Sequence, residues 1–319
     1  MKKPITRGKV LAWGVVLCTG VAVGPYLYGR VMARASAVSV EVIGPEANPA
    51  IDSSLRIGTF NIAHGRGAIP GGPNMTDESP VKRTDRLKAI AKLIRDESLD
   101  VVVLNEVDFD CYWSHGIDQS EVIAKAAGLP YILKQRNADI LIPFRTLRFG
   151  NAVISRHPIT EGKLLKLPAL KKWEDILGGA HDSAVCVITL PDGNQVKVLP
   201  VHLEVRDQAT RIAGVETIAS AVSQSNQPSL ILGDFNSYPS ASSPDAISTL
   251  TEKTGLSPMA GTGLNEPNFT FPSSKPNRRL DWIFVPASWQ VRSWKIHSTN
   301  LSDHSFVTAI LDRSPTPSE

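Results

Sequence analysis

Cysteine is scarce in this 319-residue chain: Cys18, Cys111 and Cys186 are the three present. None has a partner at metal-ligand spacing, which excludes a cysteine-built zinc site and a dense disulfide scaffold. Cys18 falls inside an apolar run, so at most Cys111 and Cys186 could pair, and a disulfide and two buried thiols both stay open. No internal repeat and no linker divides the chain. Acid is absent from residues 1–38, where six basic residues (Lys2, Lys3, Arg7, Lys9, Arg30, Arg34) stand alone. The whole chain carries a formal charge of +3, so the remainder, without this leader, is left at −3. The alkaline pI of about 8.7 therefore belongs to the leader. A polyanion binder carries its basic footprint on the folded domain itself, so bulk charge argues against nucleic acid. Local basic clusters remain, at Arg136, Arg145 and Arg148, at Lys163, Lys166, Lys171 and Lys172, and at Lys275, Arg278 and Arg279; a solvated surface is the plainer reading of each.

What is present is enough apolar residue, 42% against 20% charged, to bury one large core or two modest ones. Val10 to Gly29 is a run of 20 uncharged residues preceded by Lys2, Lys3, Arg7 and Lys9, the pattern of an N-in, C-out membrane segment. It predicts an anchor or signal over residues 1–38 that holds the rest outside the cytoplasm. Ala33-Arg34-Ala35 and Ala35-Ser36-Ala37 resemble cleavage sites, which would instead release the protein by export, but the run is longer than a typical signal core and favours retention. Leu17 before Cys18 is too bulky for a lipoprotein signal. Residues 39–54, with Gly44, Pro45, Pro49 and Asp52, read as a tether, 55–312 as the folded domain, and 313–319 as a loose tail.

Within the domain, short β-branched runs alternate with amphipathic stretches. Strands are predicted at 55–61, 100–106, 131–135, 152–155, 184–190, 195–202, 229–233, 282–285, 291–297 and 306–311. Helices are predicted at 80–97, where Leu87, Ile90, Ala91 and Ile94 share a face, and at 119–127, 207–223 and 246–253. This interleaving predicts an α/β domain of two sheets packed face to face with helices outside.

Four of the predicted strands end in a chemically capable polar residue: Asn61, Glu106, His202, and Asp234 with Asn236 beyond it. Two more begin with one, Asp281 and Asp303-His304. The start of an antiparallel strand lies beside the end of its neighbour, so all of these could share one sheet edge, where ligands bind in α/β folds. A solvated strand end explains any single one; it explains the set poorly.

Thr59-Phe60-Asn61-Ile62, Leu104-Asn105-Glu106-Val107, Gly150-Asn151-Ala152-Val153, Val201-His202-Leu203, Gly233-Asp234-Phe235-Asn236, Leu280-Asp281-Trp282-Ile283 and Ser302-Asp303-His304 resemble, in order, the motifs of the deoxyribonuclease-I-like endonuclease/exonuclease/phosphatase superfamily. The resemblance covers residues 55–311 and implies a four-layered α/β/β/α sandwich of two mixed sheets with outer helices. Glu106 and the amide oxygen of Asn61 are hard donors that suit Mg²⁺ or Mn²⁺, with Asp303 as a further direct or outer contact. The resemblance implies that Asp281 orients His304, that His304 binds or protonates at the phosphate, that Asp234 orients or deprotonates the attacking water, and that Asn236 donates to a phosphoryl oxygen. His202, as a donor to the leaving oxygen or the phosphate, fits deoxyribonuclease-like, sphingomyelinase-like and inositol-phosphatase-like branches. Asn151, Tyr131 and Arg211 are further candidates, with a turn residue and a surface charge as the alternatives for the first and last.

The chain departs from the abasic-site endonucleases at Ala63, which leaves no second carboxylate beside Asn61. His64-Gly65-Arg66-Gly67 and Thr270-Phe271-Pro272-Ser273 resemble instead a generic bacterial branch of diverse substrates. The expected activity is metal-dependent hydrolysis of a phosphoester, on a lipid head group, nucleotide, nucleic acid or metabolite, by a domain anchored at a membrane. An extracellular nuclease and a catalytically silent anchored binding module are the alternatives. Oligomeric state is left open.

Overall fold

The central strands of this chain are apolar on both sides, and the fold uses both. The computed structural model describes residues 14–21, 23–25, 27–28, 37–45, 53–74, 77–142, 145–177, 181–239, 244–261 and 268–313. One sheet has seven strands: β1 (Val38–Val42), β2 (Ser54–Asn61), β3 (Val101–Cys111), β4 (Tyr131–Ile142), β5 (Arg145–Ser155), β12 (Gln290–His297) and β13 (Phe306–Asp312), in the order β1-β4-β5-β3-β2-β13-β12. The other has six: β6 (Ile159–Leu165), β7 (Ser183–Thr189), β8 (Gln195–His202), β9 (Ser229–Asp234), β10 (Ser257–Pro258) and β11 (Asp281–Val285), in the order β10-β11-β9-β8-β7-β6. Each is mixed, with one parallel pair, β2 with β3 and β8 with β9, among antiparallel ones.

Alternate residues of each strand go to different hydrophobic layers. Ile57, Val101 and Val103 face Val198, Leu230 and Ile283 between the sheets. Their neighbours Phe60, Val102 and Leu104 turn outward onto α1 (Pro80–Asp96) and α2 (Gln119–Ala127). On the other side Leu199, Val201, Ile231 and Trp282 meet α4 (Gln208–Ser223) and α5 (Ala246–Thr254), the short α3 (Lys172–Leu177) lying between β6 and β7. Three layers of packing between four layers of structure make the α/β/β/α sandwich that the pattern predicts. The helices begin where the sequence supplies caps: Ser79 accepts from Lys82 N ahead of Pro80, and Asp118, Asp207 and Asp245 cap the others.

One reading of the sequence needs correction, one strand is added to it, and one open alternative closes. Val38–Val42, placed in the leader and tether, is an edge strand paired with β4 from Val38↔Gln135 to Val42↔Tyr131. Its alternating valines carry the strand signal, and the folded part begins there rather than at Leu55. β6 lacks a clear alternation because it too is an edge strand, half-buried along most of its length. Cys111 and Cys186 are both free and buried; burial raises both thiols, and the disulfide is not formed. The 10–29 run falls partly outside the described residues, and among the described residues no helix is long and apolar enough to cross a membrane. Residues 314–319 of the expected tail also lie outside them.

Candidate active site

Register brings the polar strand ends to one edge. β8 and β9 finish together, His202 opposite Asp234, and antiparallel β11 starts there, Asp281 opposite Asp234. In the other sheet, β2 and β3 align Asn61 with Asn105. Glu106 comes next, at a bulge: the β3–β5 register slips between Leu104 and Val107, and Glu106 has φ 51°. A bulge re-aims a side chain that strict alternation would have sent elsewhere. Asn236, after β9, is likewise left-handed at φ 46°. Backbone strain of this kind is retained where the surroundings over-determine it.

The motif glycines have steric reasons. At Gly233, φ is 148° and a β-carbon would stand 1.8 Å from Val201 O; at Gly150 it would stand 2.0 Å from Gln135 O. Neither position admits a side chain. The Thr270-Phe271-Pro272-Ser273 segment is a brace for the site: Thr270 Oγ1 accepts from the amides of Leu280 and Asp281 at 3.1 and 3.2 Å. The Phe271 ring centroid lies 4.7 Å from that of His304, and Ser273 Oγ donates to Ser302 O at 2.6 Å.

All eight residues singled out from the sequence meet. The Asn61 amide donates to Glu106 Oε1 and to Asp234 Oδ2, both at 3.1 Å. His304 Nδ1 donates to Asp281 Oδ2 at 2.8 Å, while its Nε2 is 3.6 Å from Asp234 Oδ2. His202 Nε2 lies 3.8 Å from Asp234 Oδ2 and 4.0 Å from Glu106 Oε1. The Asn236 backbone N–H donates to Asp234 Oδ1 at 2.9 Å. Arg66 ties in Asp303, at 3.1 Å from Oδ2, and reaches Glu106 Oε2 at 3.4 Å.

Two expected atoms point differently. The oxygen of Asn61 is not turned to Glu106; it accepts from Ala63 N at 3.0 Å, and the NH₂ faces the carboxylates. Asn236 spends one amide hydrogen on Leu203 O at 3.0 Å. Among the further candidates, Tyr131 is opposite Ser155 at the far end of the sheet from this edge. Asn151 is fully buried and lies in an amide relay: Asn105 donates to its Oδ1 at 2.8 Å, and its own NH₂ donates to Gln135 Oε1 at 2.6 Å. Asn105 Oδ1 in turn accepts from Asp234 N at 3.1 Å, linking the two sheets behind the site. Arg211 is a brace, donating to the carbonyls of Glu204 and Val205.

Charge is distributed unevenly over these groups. Burial alone would raise Glu106, but His64, His202, the Asn61 amide and Arg66 outweigh it and hold the carboxyl at about 2. Burial raises Asp234 against the pull of His304, and raises Asp303 against His304 and Arg66. His304, which burial would lower, is carried by Asp281 and Asp234 to about 10. The ring is therefore an imidazolium at neutral pH.

Sequence reasoning missed His181 and assigned no chemistry to His64 and Arg66. His181 stacks edge-on against His202, centroids 4.9 Å apart, and burial with that neighbour lowers it to about 4. The residue sits just before β7, where no pattern marks it. His64, Arg66, Asn74, Asn137, His181 and His202 line a cleft of about 390 Å³ that opens beside Glu106. Asp234, Asp281 and His304 are also close enough together to hold an ion, with ligand atoms within 4.8 Å. Glu106 and Asp303 form a second acidic pair, bridged by the Arg66 guanidinium.

A sequence model described as "Endonuclease/Exonuclease/phosphatase family" matches residues 58–304. Among solved structures, an endonuclease/exonuclease/phosphatase from Beutenbergia cavernae is 23% identical, with TM-score 0.61 over 81% of this chain and 71% of that one. A mannosyl-6-phosphatase from Bacteroides thetaiotaomicron is 16% identical, with TM-score 0.56 over 81% and 99%. D. rerio TDP2 complexed with a single-strand DNA product is 14% identical, with TM-score 0.57 over 82% and 100%. No curated protein matches the chain in sequence.

Proposed function

The chain belongs to the endonuclease/exonuclease/phosphatase family, and on that premise we propose that it is a divalent-metal-dependent hydrolase of small phosphoesters, anchored outside the cytoplasm by its N-terminal segment. The observation that carries the hydrolytic reading is the position of Asp234, whose Oδ2 receives the Asn61 amide and faces the Nε2 atoms of both His304 and His202. A carboxylate raised by burial is a better proton acceptor than a solvated one. In this reading Asp234 aligns a water and takes its proton as the water oxygen bonds to phosphorus. The ester P–O bond breaks on the opposite side, and His202 returns a proton to the leaving oxygen. The His304 imidazolium, fixed by Asp281, and the second amide hydrogen of Asn236 neutralise the phosphoryl oxygens where charge accumulates.

Glu106, held ionised, and Asp303 fit a hard cation. Mg²⁺ or Mn²⁺ there would supply Lewis-acid neutralisation of the phosphoryl group.

The cleft volume of about 390 Å³ suits a single phosphorylated group, such as a sugar, head group or nucleotide, at the small end of ligand sites. A basic groove, which the nuclease reading needs, gains little support: Arg136 and Arg148 pair with Asp139, and Arg279 is buried over Trp282 at 3.7 Å. Anchoring rests on the sequence alone, the 20-residue uncharged run behind basic residues. It predicts that the domain is cleaved by protease added to intact cells.

The activity is tested with a panel of phosphorylated sugars, nucleotides, phospholipids, single-stranded and duplex DNA, and bis-p-nitrophenyl phosphate, each with Mg²⁺, Mn²⁺ or chelator. We expect turnover confined to small esters and abolished by chelator. Turnover indifferent to chelator would contradict the metal reading, and salt-sensitive cleavage of DNA alone would favour the nuclease. Cellular function undiminished in a Glu106→Gln, His304→Ala double variant would favour the silent binding module.

A further inference from the structure

A second histidine–carboxylate pair stands on the other side of Glu106, made of residues to which the proposed reaction gives no role. His64 Nδ1 lies 2.7 Å from Asp108 Oδ1. Asp108 is itself held, its Oδ2 accepting from Trp113 Nε1 at 2.8 Å and from Gln119 Nε2 at 3.4 Å. Trp113 and Phe149 wall the imidazole edge-on, with centroids at 5.7 and 5.4 Å.

The backbone is bent to make this possible. Ala63 and His64 have φ 49° and 52°, a left-handed conformation that residues with side chains adopt only at a cost. Gln119 and Arg83 donate to His64 O at 2.7 and 3.2 Å, and Arg86 donates to Gly65 O at 2.5 Å, fixing the bend. What the bend and its bracing achieve is the aim of one ring nitrogen.

That nitrogen is Nε2, since Nδ1–H is committed to Asp108. It faces Glu106 Oε2 at 3.5 Å, longer than a good hydrogen bond. The other oxygen of Glu106 is engaged by Asn61. A neutral imidazole that donates through Nδ1 presents a lone pair at Nε2. With a cation in the gap in place of the Nε2 proton, two electron-pair donors, each braced from behind, face one point. Atoms bound at about 2.1 Å to one ion stand roughly 3.0 Å apart in octahedral and 3.4 Å apart in tetrahedral geometry, close to this spacing.

We propose that His64 is a ligand of the divalent cation, forming with Glu106 a mixed nitrogen–oxygen site in which Asp108 orients the imidazole. The inference rests on the metal-dependent reading of the active site and deepens it. A nitrogen donor shifts preference away from Mg²⁺, which favours oxygen, toward the transition ions, most strongly those after Mn²⁺, and Mn²⁺ is the member of that series that reports bound nitrogen by paramagnetic resonance. Arg66 reaches the same Oε2 at 3.4 Å, but its shorter bond is to Asp303 at 3.1 Å, so Glu106 is not its principal partner.

The test is pulsed electron paramagnetic resonance of the purified protein loaded with Mn²⁺, with calorimetric titrations of Mn²⁺ and Mg²⁺ alongside. Wild-type protein should show echo modulation from a directly bound nitrogen. The modulation should vanish in His64→Gln and persist in His202→Gln. His64→Gln and Asp108→Asn should weaken Mn²⁺ about 10–100-fold and Mg²⁺ less, in proteins whose circular dichroism is native. Mn²⁺ bound by wild type without nitrogen coupling, or coupling that survives in His64→Gln, overturns the assignment and leaves the proposed function standing. The wild-type spectrum decides even if the variants fold poorly. Failure of wild type to bind Mn²⁺ at all overturns the metal-dependent reading together with this one.

Discussion

Replacing Asp281 by asparagine keeps the shape of the His304 brace and removes its charge. His304 is displaced from an ordinary 6.5 to about 10, against a burial effect that alone would lower it, chiefly by Asp281 and Asp234. The displacement corresponds to stabilisation on the order of 5 kcal/mol. Only 5% of His304 is exposed, so solvent screens little of it. Because the folded value is raised, this stability is fully present below the unfolded pKa near 6.5 and drains away as pH climbs toward 10. Breaking a buried pair by deleting one partner costs about 3–5 kcal/mol, in the same range. Urea unfolding of chelator-treated wild type and Asp281→Asn, from pH 6 to 10, should therefore show a gap of about 3–5 kcal/mol at pH 6 that narrows as pH rises. Equal stabilities at pH 6, or a gap that stays constant to pH 10, would refute the reasoning.

Other changes probe other parts of the site. Glu106→Gln should weaken Mn²⁺ binding measured by calorimetry and lower kcat by about 100-fold or more, since it removes charge at the cation. His202→Ala should cost about 10²–10⁴-fold in kcat on an ester with a poor leaving group and much less on a p-nitrophenyl ester, whose leaving oxygen needs no proton; an equal loss on both would remove His202 from that role. Gly233→Ala should lower Tm or prevent soluble expression, because its β-carbon would be placed 1.8 Å from Val201 O; a variant melting within a degree of wild type would contradict the close approach.

The edge on which the site is built was legible because buried strands give no reason to end in Asn61, His202 or Asp234; Glu106, expected as a strand end, lies instead at a bulge within β3, which runs on to Cys111. The four layers were legible because strands such as Val101–Leu104 are apolar on both faces, which only packing on both sides explains. Support residues were harder to read. Asp108 lies in a strand whose alternation is reset by the bulge at Glu106, so its facing could not be counted from the sequence. His64 depends on two consecutive left-handed residues, Ala63 and His64, neither of which advertises that conformation. The orientation of the Asn61 amide is set by a backbone hydrogen bond to Ala63, a contact two residues away that a motif does not specify. β1 reads as tether in the sequence because its valines come after a leader and precede Gly44 and Pro45.

The central claim is that a divalent cation binds at Glu106. A crystal grown with Mn²⁺, measured on both sides of the manganese absorption edge, tests it directly. The account predicts one anomalous peak beside Glu106 Oε2, on the side facing His64. A peak elsewhere on the molecule, or none at saturating Mn²⁺, would contradict it.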